Sequence, residues 1–158
     1  MPCRIEKVVS GGQTGADRAA WDAAREHGIA IGGFVPKGCW AEDGAVPDEY
    51  GPLEETGSAG PDERTRKNVE NSDKTLILAR GDLRGGTALT SRIARQLGKP
   101  CLVVDLAALE PLAAAALIVE WLEATPGTVL NVAGPRASED KKIYGLVKDV
   151  LNRVFHGL

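Results

Sequence analysis

The sequence feature that most constrains the fold is a glycine-rich turn between an apolar run and a helix-like segment. Val8 and Val9 lead into Ser10-Gly11-Gly12-Gln13-Thr14-Gly15-Ala16-Asp17, and small residues at helical spacing follow. Glycine permits a tight turn and a close approach of the backbone to a ligand. Amide groups at a helix start, with the helix dipole behind them, favour an anion, above all a phosphate. A second turn of this kind, Arg84-Gly85-Gly86-Thr87-Ala88-Leu89-Thr90, lies in the middle of the chain.

Short apolar segments alternate with amphipathic helical patterns along the chain. This alternation is typical of an α/β, Rossmann-like fold, with a doubly wound, mainly parallel sheet of about five strands and helices on both faces. The length of 158 residues fits a single domain, 1–158. The patterns predict strands at 5–10, 29–35, 75–79, 101–104 and 129–132, and helices at 15–28, 62–71, 87–97, 111–124 and 138–155.

The segment 36–61 has no clear periodicity. It holds four of the nine prolines, with several glycines and acids. A connection of this length inside a compact domain is usually functional or disordered. Its mixture of ligand-type side chains and aromatics predicts a loop that covers a site.

Composition argues against several classes of function. The formal net charge of -3 and the scattered basic residues indicate no nucleic-acid partner. No apolar run approaches the roughly 20 residues that cross a bilayer, so we expect no membrane partner. The three cysteines form no disulfide pattern, which favours the cytoplasm. Neither the cysteines nor His27 and His156 have the spacing of a metal site, and we expect none.

The candidate ligand-binding residues come from the two turns, from the segment 36–61 and from the loop after the last predicted strand. Parallel sheets bind ligands at the carboxyl ends of their strands, where both turns are expected. Neither turn is a Walker A loop or a GxGxxG fingerprint. Amides and hydroxyls of the turns can hold a phosphate, while Gln13 and Asn131 can read the amide edge of a heterocycle. The predicted binding residues are Ser10, Gly11, Gly12, Gln13, Thr14, Gly15, Lys37, Gly85, Gly86, Thr87, Thr90 and Asn131.

Charged residues near these segments can contribute to a phosphate site, and for Asp17 two readings remain open. Arg64 and Arg136, like Lys37, can neutralise a phosphate. Asp17 either favours the helix dipole or binds the ligand, and the sequence does not separate the two readings. No catalytic set is predicted, because the acids of the 36–61 segment read as solvated loop residues.

The two turns resemble those of the SLOG superfamily, which includes the lysine-decarboxylase-like phosphoribohydrolases and the YpsA-like proteins. The stretch Ser10 to Ala20, the Pro36-Lys37-Gly38 turn and the stretch Gly85 to Thr90 are most similar to the molybdenum cofactor carrier family. This resemblance implies a Rossmann-like fold, an oligomer, and binding of molybdenum cofactor (molybdopterin) through its phosphate and pterin. In the phosphoribohydrolases a catalytic Glu stands where this chain has Thr90, and threonine cannot replace a carboxylate as an acid or base.

Three readings of function follow. The first is a carrier or storage protein for a phosphorylated pterin, with no catalytic role. The second is an enzyme on a nucleotide, such as a nucleoside-monophosphate phosphoribohydrolase, with an acid of the 36–61 segment replacing the missing Glu. The third is a nucleotide-sensing module. The helix at 111–124 is apolar on most sides, which under all three readings predicts a homo-oligomer, a dimer or tetramer.

Overall fold

The computed structural model describes residues 3–158, which form nine strands, five helices and one 3-10 turn at Asp48–Tyr50. The strands are β1 (Lys7–Val9), β2 (Ala30–Gly32), β3 (Phe34–Val35), β4 (Trp40–Ala41), β5 (Gly44–Ala45), β6 (Glu54–Glu55), β7 (Lys74–Ala79), β8 (Cys101–Asp105) and β9 (Val129–Ala133). The helices are α1 (Ala16–Glu26), α2 (Pro61–Glu70), α3 (Gly85–Gln96), α4 (Pro111–Ala124) and α5 (Ile143–His156). None of these helices is both long and apolar enough to cross a membrane.

Five strands form one parallel sheet in the order β2-β1-β9-β7-β8, which confirms the predicted α/β fold. Val8 lies opposite both Ile31 and Leu130. All six residues of β7 are buried, as expected for a strand covered on both faces. The chain moves to one side of the sheet after β1 and to the other side after β7. This reversal leaves a crevice at the carboxyl ends of the central strands.

Helices cover both faces of the sheet, as predicted. The larger core lies on the face of α1, α4 and α5, and a smaller cluster joins α2 to α3. The alanines that α1 turns inward are fully buried, so this helix packs closely against the sheet and α5. Because the strands of the sheet are parallel, the two glycine turns, which follow β1 and β7, lie at the same edge of the sheet.

The predicted second strand, 29–35, is divided at Gly33. Residues 30–32 join the central sheet as β2, whereas β3 leaves it and pairs with β6. Gly33 has a φ of 129°, and a Cβ there would come within 2.3 Å of the Ser10 carbonyl oxygen. Only glycine allows the chain to leave the sheet so close to β1.

The predicted helix 87–97 starts two residues earlier, at Gly85, and two further helices differ in their start or their burial. The last helix starts at Ile143 instead of Ser138, because the amide and hydroxyl of Ser138 donate to Glu42 at 3.0 and 2.5 Å. The helix predicted at 62–71 as polar and exposed starts at Pro61, and the prediction of exposure is wrong, because one side of it is buried, including Arg64 and Asn68. Its burial was not predictable from its polar composition.

The segment 36–61 packs over a second small core. Trp21 of α1 is fully buried there and donates through Nε1 to the Gly32 carbonyl oxygen at 3.0 Å. Its ring lies 5.0 Å from that of Tyr50. The predicted loop therefore contains a β4–β5 hairpin, a 3-10 turn and β6, and a small core of aromatic and aliphatic side chains holds it against the domain.

Candidate functional site

A cavity of about 160 Å³ lies at the carboxyl ends of β1 and β9, between α2 and α3. Seven of the twelve predicted binding residues line it: Gly11, Gln13, Gly85, Gly86, Thr87, Thr90 and Asn131. The structure thus brings both glycine turns and the end of the last strand into one site.

The other five predicted residues do not line this cavity. Ser10 is buried, and its hydroxyl donates to the Asp17 carbonyl oxygen at 3.1 Å. Gly12, Thr14 and Gly15 form the body of the first turn. Lys37 is exposed, and its amide donates to the Ser58 carbonyl oxygen at 2.9 Å.

The backbone amides of the first turn donate to acceptors within the chain. The amide of Gln13 donates to Oδ2 of Asp17 at 3.2 Å, and the amide of Gly12 lies 3.4 Å from the Ser10 hydroxyl. The amide of Thr14 donates to Oε1 of Gln13 at 3.0 Å, and that of Ala16 donates to the Pro135 carbonyl oxygen at 3.1 Å. The amides that were predicted to bind a phosphate are therefore already hydrogen-bonded within the chain, and the Asp17 carboxylate accepts from one of them.

Gly15 fixes the geometry of this turn. It precedes α1 with a φ of 79°, a conformation that favours glycine. A Cβ at this position would come within 2.5 Å of the Pro135 carbonyl oxygen. The close approach locks the loop after β9 against the first turn.

Asp17 and Arg64 form a buried, loosely paired couple at the cavity wall. Burial raises the pKa of Asp17 to about 6, although Arg64 and the amides of Gln13 and Gly11 oppose the shift. Burial also lowers the pKa of Arg64, against the attraction of Asp17. Nη1 of Arg64 lies 4.0 Å from Oδ2 of Asp17. Desolvation outweighs pairing for both groups, so each charge is incompletely compensated.

Arg64 belongs to α2, and its backbone partners hold its side chain in place. Nη1 donates to the Gly11 carbonyl oxygen at 2.7 Å, and Nε donates to the Pro61 carbonyl oxygen at 3.3 Å. Within residues 3–158, Nη2 donates to no acceptor. Arg64 thus presents a buried guanidinium with unused donors to the cavity.

The second turn is open, in contrast to the first. The amides of Thr87 and Ala88 donate to the Arg84 carbonyl oxygen at 3.0 and 3.1 Å. The amides of Gly85 and Gly86 have no acceptor in the described part of the chain, and α3 has no side-chain cap. This helix start can therefore receive an anion.

The polar side chains beside the second turn differ in which of their hydrogen-bond donors and acceptors remain without partners. The Thr90 hydroxyl, which stands where the resemblance expects a Glu, donates to the Gly86 carbonyl oxygen at 2.8 Å. Nδ2 of Asn131 lies 3.3 Å from the Thr75 hydroxyl, whereas its Oδ1 accepts no hydrogen bond from residues 3–158. Gln13 uses its Oε1 for Thr14 and Glu42, which leaves its NH2 group. Asn131 thus offers an acceptor, and Gln13 offers donors only.

The β4–β5 hairpin is fastened to the rim of the cavity. Glu42 accepts from the Thr14 hydroxyl and from Ser138, and its amide donates to Oε1 of Gln13 at 2.9 Å. Burial opposes ionisation of Glu42, but the hydrogen bonds from Ser138 and Thr14 outweigh it and lower its pKa. Asp43 receives two hydrogen bonds from Arg18, at 2.5 and 2.8 Å. These contacts place the hairpin of the 36–61 segment beside the cavity.

Trp40 of this hairpin lines the cavity with its side chain 47% exposed. We did not predict it as a binding residue, although it lies in the segment expected to cover the site. Pro61, Thr65 and Asn68 of α2 were also missed. In the sequence, the signal for this side of α2 was the four-residue spacing of Arg64 and Asn68, which places both on one face of a helix composed mostly of polar residues.

A metal site and a catalytic acid from the 36–61 segment have little support in the described part of the chain. Among residues 3–158, no group of three or more His, Cys, Asp or Glu side chains could hold a metal ion. None of the four loop acids that could replace the missing Glu lines the cavity: Glu42, Asp43, Asp48 and Glu49. The cavity carboxyls are instead those of Asp17 and Glu139.

Comparisons with known proteins agree with this architecture. Residues 8–155 match the circularly permutated YpsA SLOG family. The structure resembles a crystal structure from Syntrophus aciditrophicus SB named "Putative molybdenum carrier protein", with a TM-score of 0.95 and 48% sequence identity. The match covers 98% of this chain and 97% of that one. A search of curated proteins gives no match. Since the family match spans nearly all of the described residues, this chain belongs to the circularly permutated YpsA SLOG family.

Proposed function

We propose that this protein binds a phosphorylated small molecule, most specifically molybdenum cofactor, as a carrier or storage protein. The observation that carries the proposal is the pairing, in one cavity, of a buried guanidinium that has unused donors with an open helix start. Arg64 supplies the guanidinium, and Gly85 and Gly86 supply the amides. This combination fits a phosphate group, which takes both charge and several hydrogen bonds.

The remaining lining fits a planar heterocycle. The Trp40 indole offers a flat, partly exposed face for stacking. Oδ1 of Asn131 can accept from a ring N–H, and the NH2 group of Gln13 can donate to a ring carbonyl. Molybdopterin presents a phosphate and a pterin, so these donors and acceptors match both of its parts. The name of the Syntrophus aciditrophicus protein supports this choice of ligand.

A binding role agrees better with the second turn than a catalytic one. Thr90 is 4% exposed, and its hydroxyl is used by the helix backbone. A hydroxyl held in this way can shape the cavity, but it is not an acid or base near neutral pH. The proposed site therefore holds its ligand without transforming it.

Titration calorimetry with molybdenum cofactor, guanosine monophosphate and inorganic phosphate tests the proposal. We expect the cofactor to bind at micromolar concentration with one molecule per chain, and inorganic phosphate to compete with it. Native mass spectrometry of freshly purified protein gives an independent readout of any molecule that remains bound. Absence of cofactor binding at micromolar concentration would contradict the proposed function.

A second candidate is hydrolysis of the N-glycosidic bond of a nucleoside monophosphate. The observation that favours it is Asp17, a buried cavity carboxyl with a pKa raised to about 6. Perturbed carboxyls in cavities are typical of general acids. We would expect base release from a nucleotide panel that is lost in the Asp17→Asn variant. Inactivity of the wild-type protein across the panel would eliminate this candidate.

We also propose that the protein forms a homo-oligomer through α4. One side of this helix is buried, but Leu112 and Leu117 are 69% and 39% exposed. A groove lined by Leu112 also carries Glu120, Glu123 and Arg153, and Arg153 pairs with Asp149 at 3.0 Å within the chain. A second copy related by a twofold axis can bring the arginine of one chain to the acids of the other. Light scattering of the wild type and of a Leu112→Glu variant tests this. A monomeric wild type at working concentration would contradict it.

A further inference from the structure

A second cavity adjoins the first at the same edge of the sheet. Its volume is about 720 Å³, and it lies where β7, β8 and β9 end. Thr87 and Glu139 line both cavities. The two spaces are therefore neighbours along one groove, with the start of α3 between them.

The first cavity is smaller than a usual small-molecule site. Sites for small molecules are usually about 300–1,000 Å³, and the first cavity has about 160 Å³. The second cavity falls within the usual range. A ligand that fills the groove must extend past Thr87.

The Thr87 hydroxyl is a free polar group at the junction. Thr87 is 7% exposed, and its hydroxyl makes no hydrogen bond within residues 3–158. Although the residue is mostly buried, its hydroxyl is accessible from the cavities, where it can donate to a ligand or accept from one. Its position between the two cavities marks the place where a polar linker would lie.

Several charges in the second cavity are already compensated. Arg80 donates to Asp140 through Nε and Nη2, both at 2.7 Å. Glu139 lies 3.6 Å from Nε of Arg136, which it shares with Glu42 at 3.5 Å, so its charge is compensated in part. These groups leave little net charge for a ligand.

The remaining charges favour an anion. Arg84 and Lys141 have no carboxylate within 4.0 Å in the described part of the chain, and both are exposed to the cavity. Asp82 is the remaining acid of the lining. Across the whole lining three cations face three acids, so the attraction for a phosphate is local to Arg84 and Lys141, which no carboxylate pairs.

We propose that the second cavity is a subsite for a second, pyrophosphate-linked moiety, so that the groove takes a dinucleotide-type ligand. The ring and first phosphate lie in the first cavity, the pyrophosphate passes Thr87, and the second nucleoside fills the larger space beside Arg84 and Lys141. This inference rests on the proposed function, because the first cavity must hold the phosphorylated ring.

Guanosine monophosphate and diguanosine pyrophosphate are suitable probes, since guanine carries the same amino-oxo pyrimidine edge as a pterin. In titration calorimetry we expect the dinucleotide to bind at least tenfold more tightly than the mononucleotide. An Arg84→Ala/Lys141→Ala double variant should lose about tenfold in dinucleotide affinity and change mononucleotide affinity less than twofold. Lys142→Ala, beside Lys141 but outside the cavity, is the matched control.

Equal affinity for the two probes, or an equal loss of both in the double variant, would overturn the subsite and leave the proposed function intact. Failure of the wild type to bind either probe, molybdenum cofactor or inorganic phosphate would overturn both. Melting temperatures of all variants establish that any loss is not a loss of fold.

Discussion

The two glycine turns differ in what fills them. In the first turn the Asp17 carboxylate and the Ser10 hydroxyl take up backbone amides, and Gly15 packs against the loop after β9. In the second turn the amides of Gly85 and Gly86 remain without acceptors in residues 3–158. Similar glycine patterns therefore serve different purposes. The first turn is closed by acceptors of the chain itself, and the second leaves its helix start open.

The largest expected difference between the turns is in stability. A Gly15→Ala variant forces a Cβ to within 2.5 Å of the Pro135 carbonyl oxygen at a positive φ. We expect a loss of at least about 3 kcal/mol in the free energy of unfolding. Gly86→Ala is the control, because a Cβ there meets no atom within 4 Å, and it should stay within about 1 kcal/mol of wild type. Urea unfolding measures both, and similar losses would remove the distinction.

We expect Asp17 to make the stability of the protein depend on pH. Since its pKa in the folded state is raised to about 6, the folded protein binds a proton that the unfolded chain releases at lower pH. The stability of wild type relative to Asp17→Asn should therefore be highest below about pH 4. It should fall by roughly 3 kcal/mol as the pH rises through 6.

Urea unfolding of both proteins at several pH values measures this difference. A difference between wild type and Asp17→Asn that does not vary with pH would show that Asp17 is not desolvated.

Arg64 connects the two turns, because it contacts the first and lines the cavity with the second. Arg64→Gln removes a charged donor, and hydrogen bonds to charged groups contribute about 1.5–3 kcal/mol. We expect sulfate or phosphate affinity to fall about 10- to 100-fold. Arg66→Gln, in the same helix but exposed, should have almost no effect. Calorimetry compares the two, and unchanged affinity in Arg64→Gln would place the anion elsewhere.

The smallest expected effect is at Trp40. Trp40→Leu removes a stacking face worth about 1 kcal/mol, so affinity for guanosine monophosphate should fall about fivefold. Affinity for inorganic phosphate should not change, and Trp40→Phe should retain most of the ring's contribution. Equal loss for both ligands would show that Trp40 shapes the cavity but does not hold the ring.

The fold was largely predictable from sequence, because strand and helix patterns depend on local composition. The parallel sheet, its helices on both faces and the meeting of the two turns at one edge all followed from the alternation along the chain. The division of strand 29–35 was less accessible, since it depends on the contact of Gly33 with Ser10. The late start of the last helix depends on Glu42, almost a hundred residues away.

The candidate site was predictable in its location but not in its details. The turns identified two of its walls. Sequence could not show that the Asp17 carboxylate fills the first turn, because a helix-dipole role and a ligand role were equally consistent with its position. Nor could it show that Trp40 reaches the cavity, since the hairpin that carries it is fastened by side-chain contacts distant in sequence. Such long-range contacts leave no local pattern.

The most direct test of the distinction between the turns is an amide NMR titration of 15N-labelled protein with sulfate and with molybdenum cofactor. We predict that the amide signals of Gly85 and Gly86 shift in a saturable manner with both ligands. The signals of Gly12 and Gln13 should move much less, because their amides already have acceptors. The opposite pattern, with saturable shifts at Gly12 and Gln13 and none at Gly85 and Gly86, would contradict the assignment of the anion to the second turn.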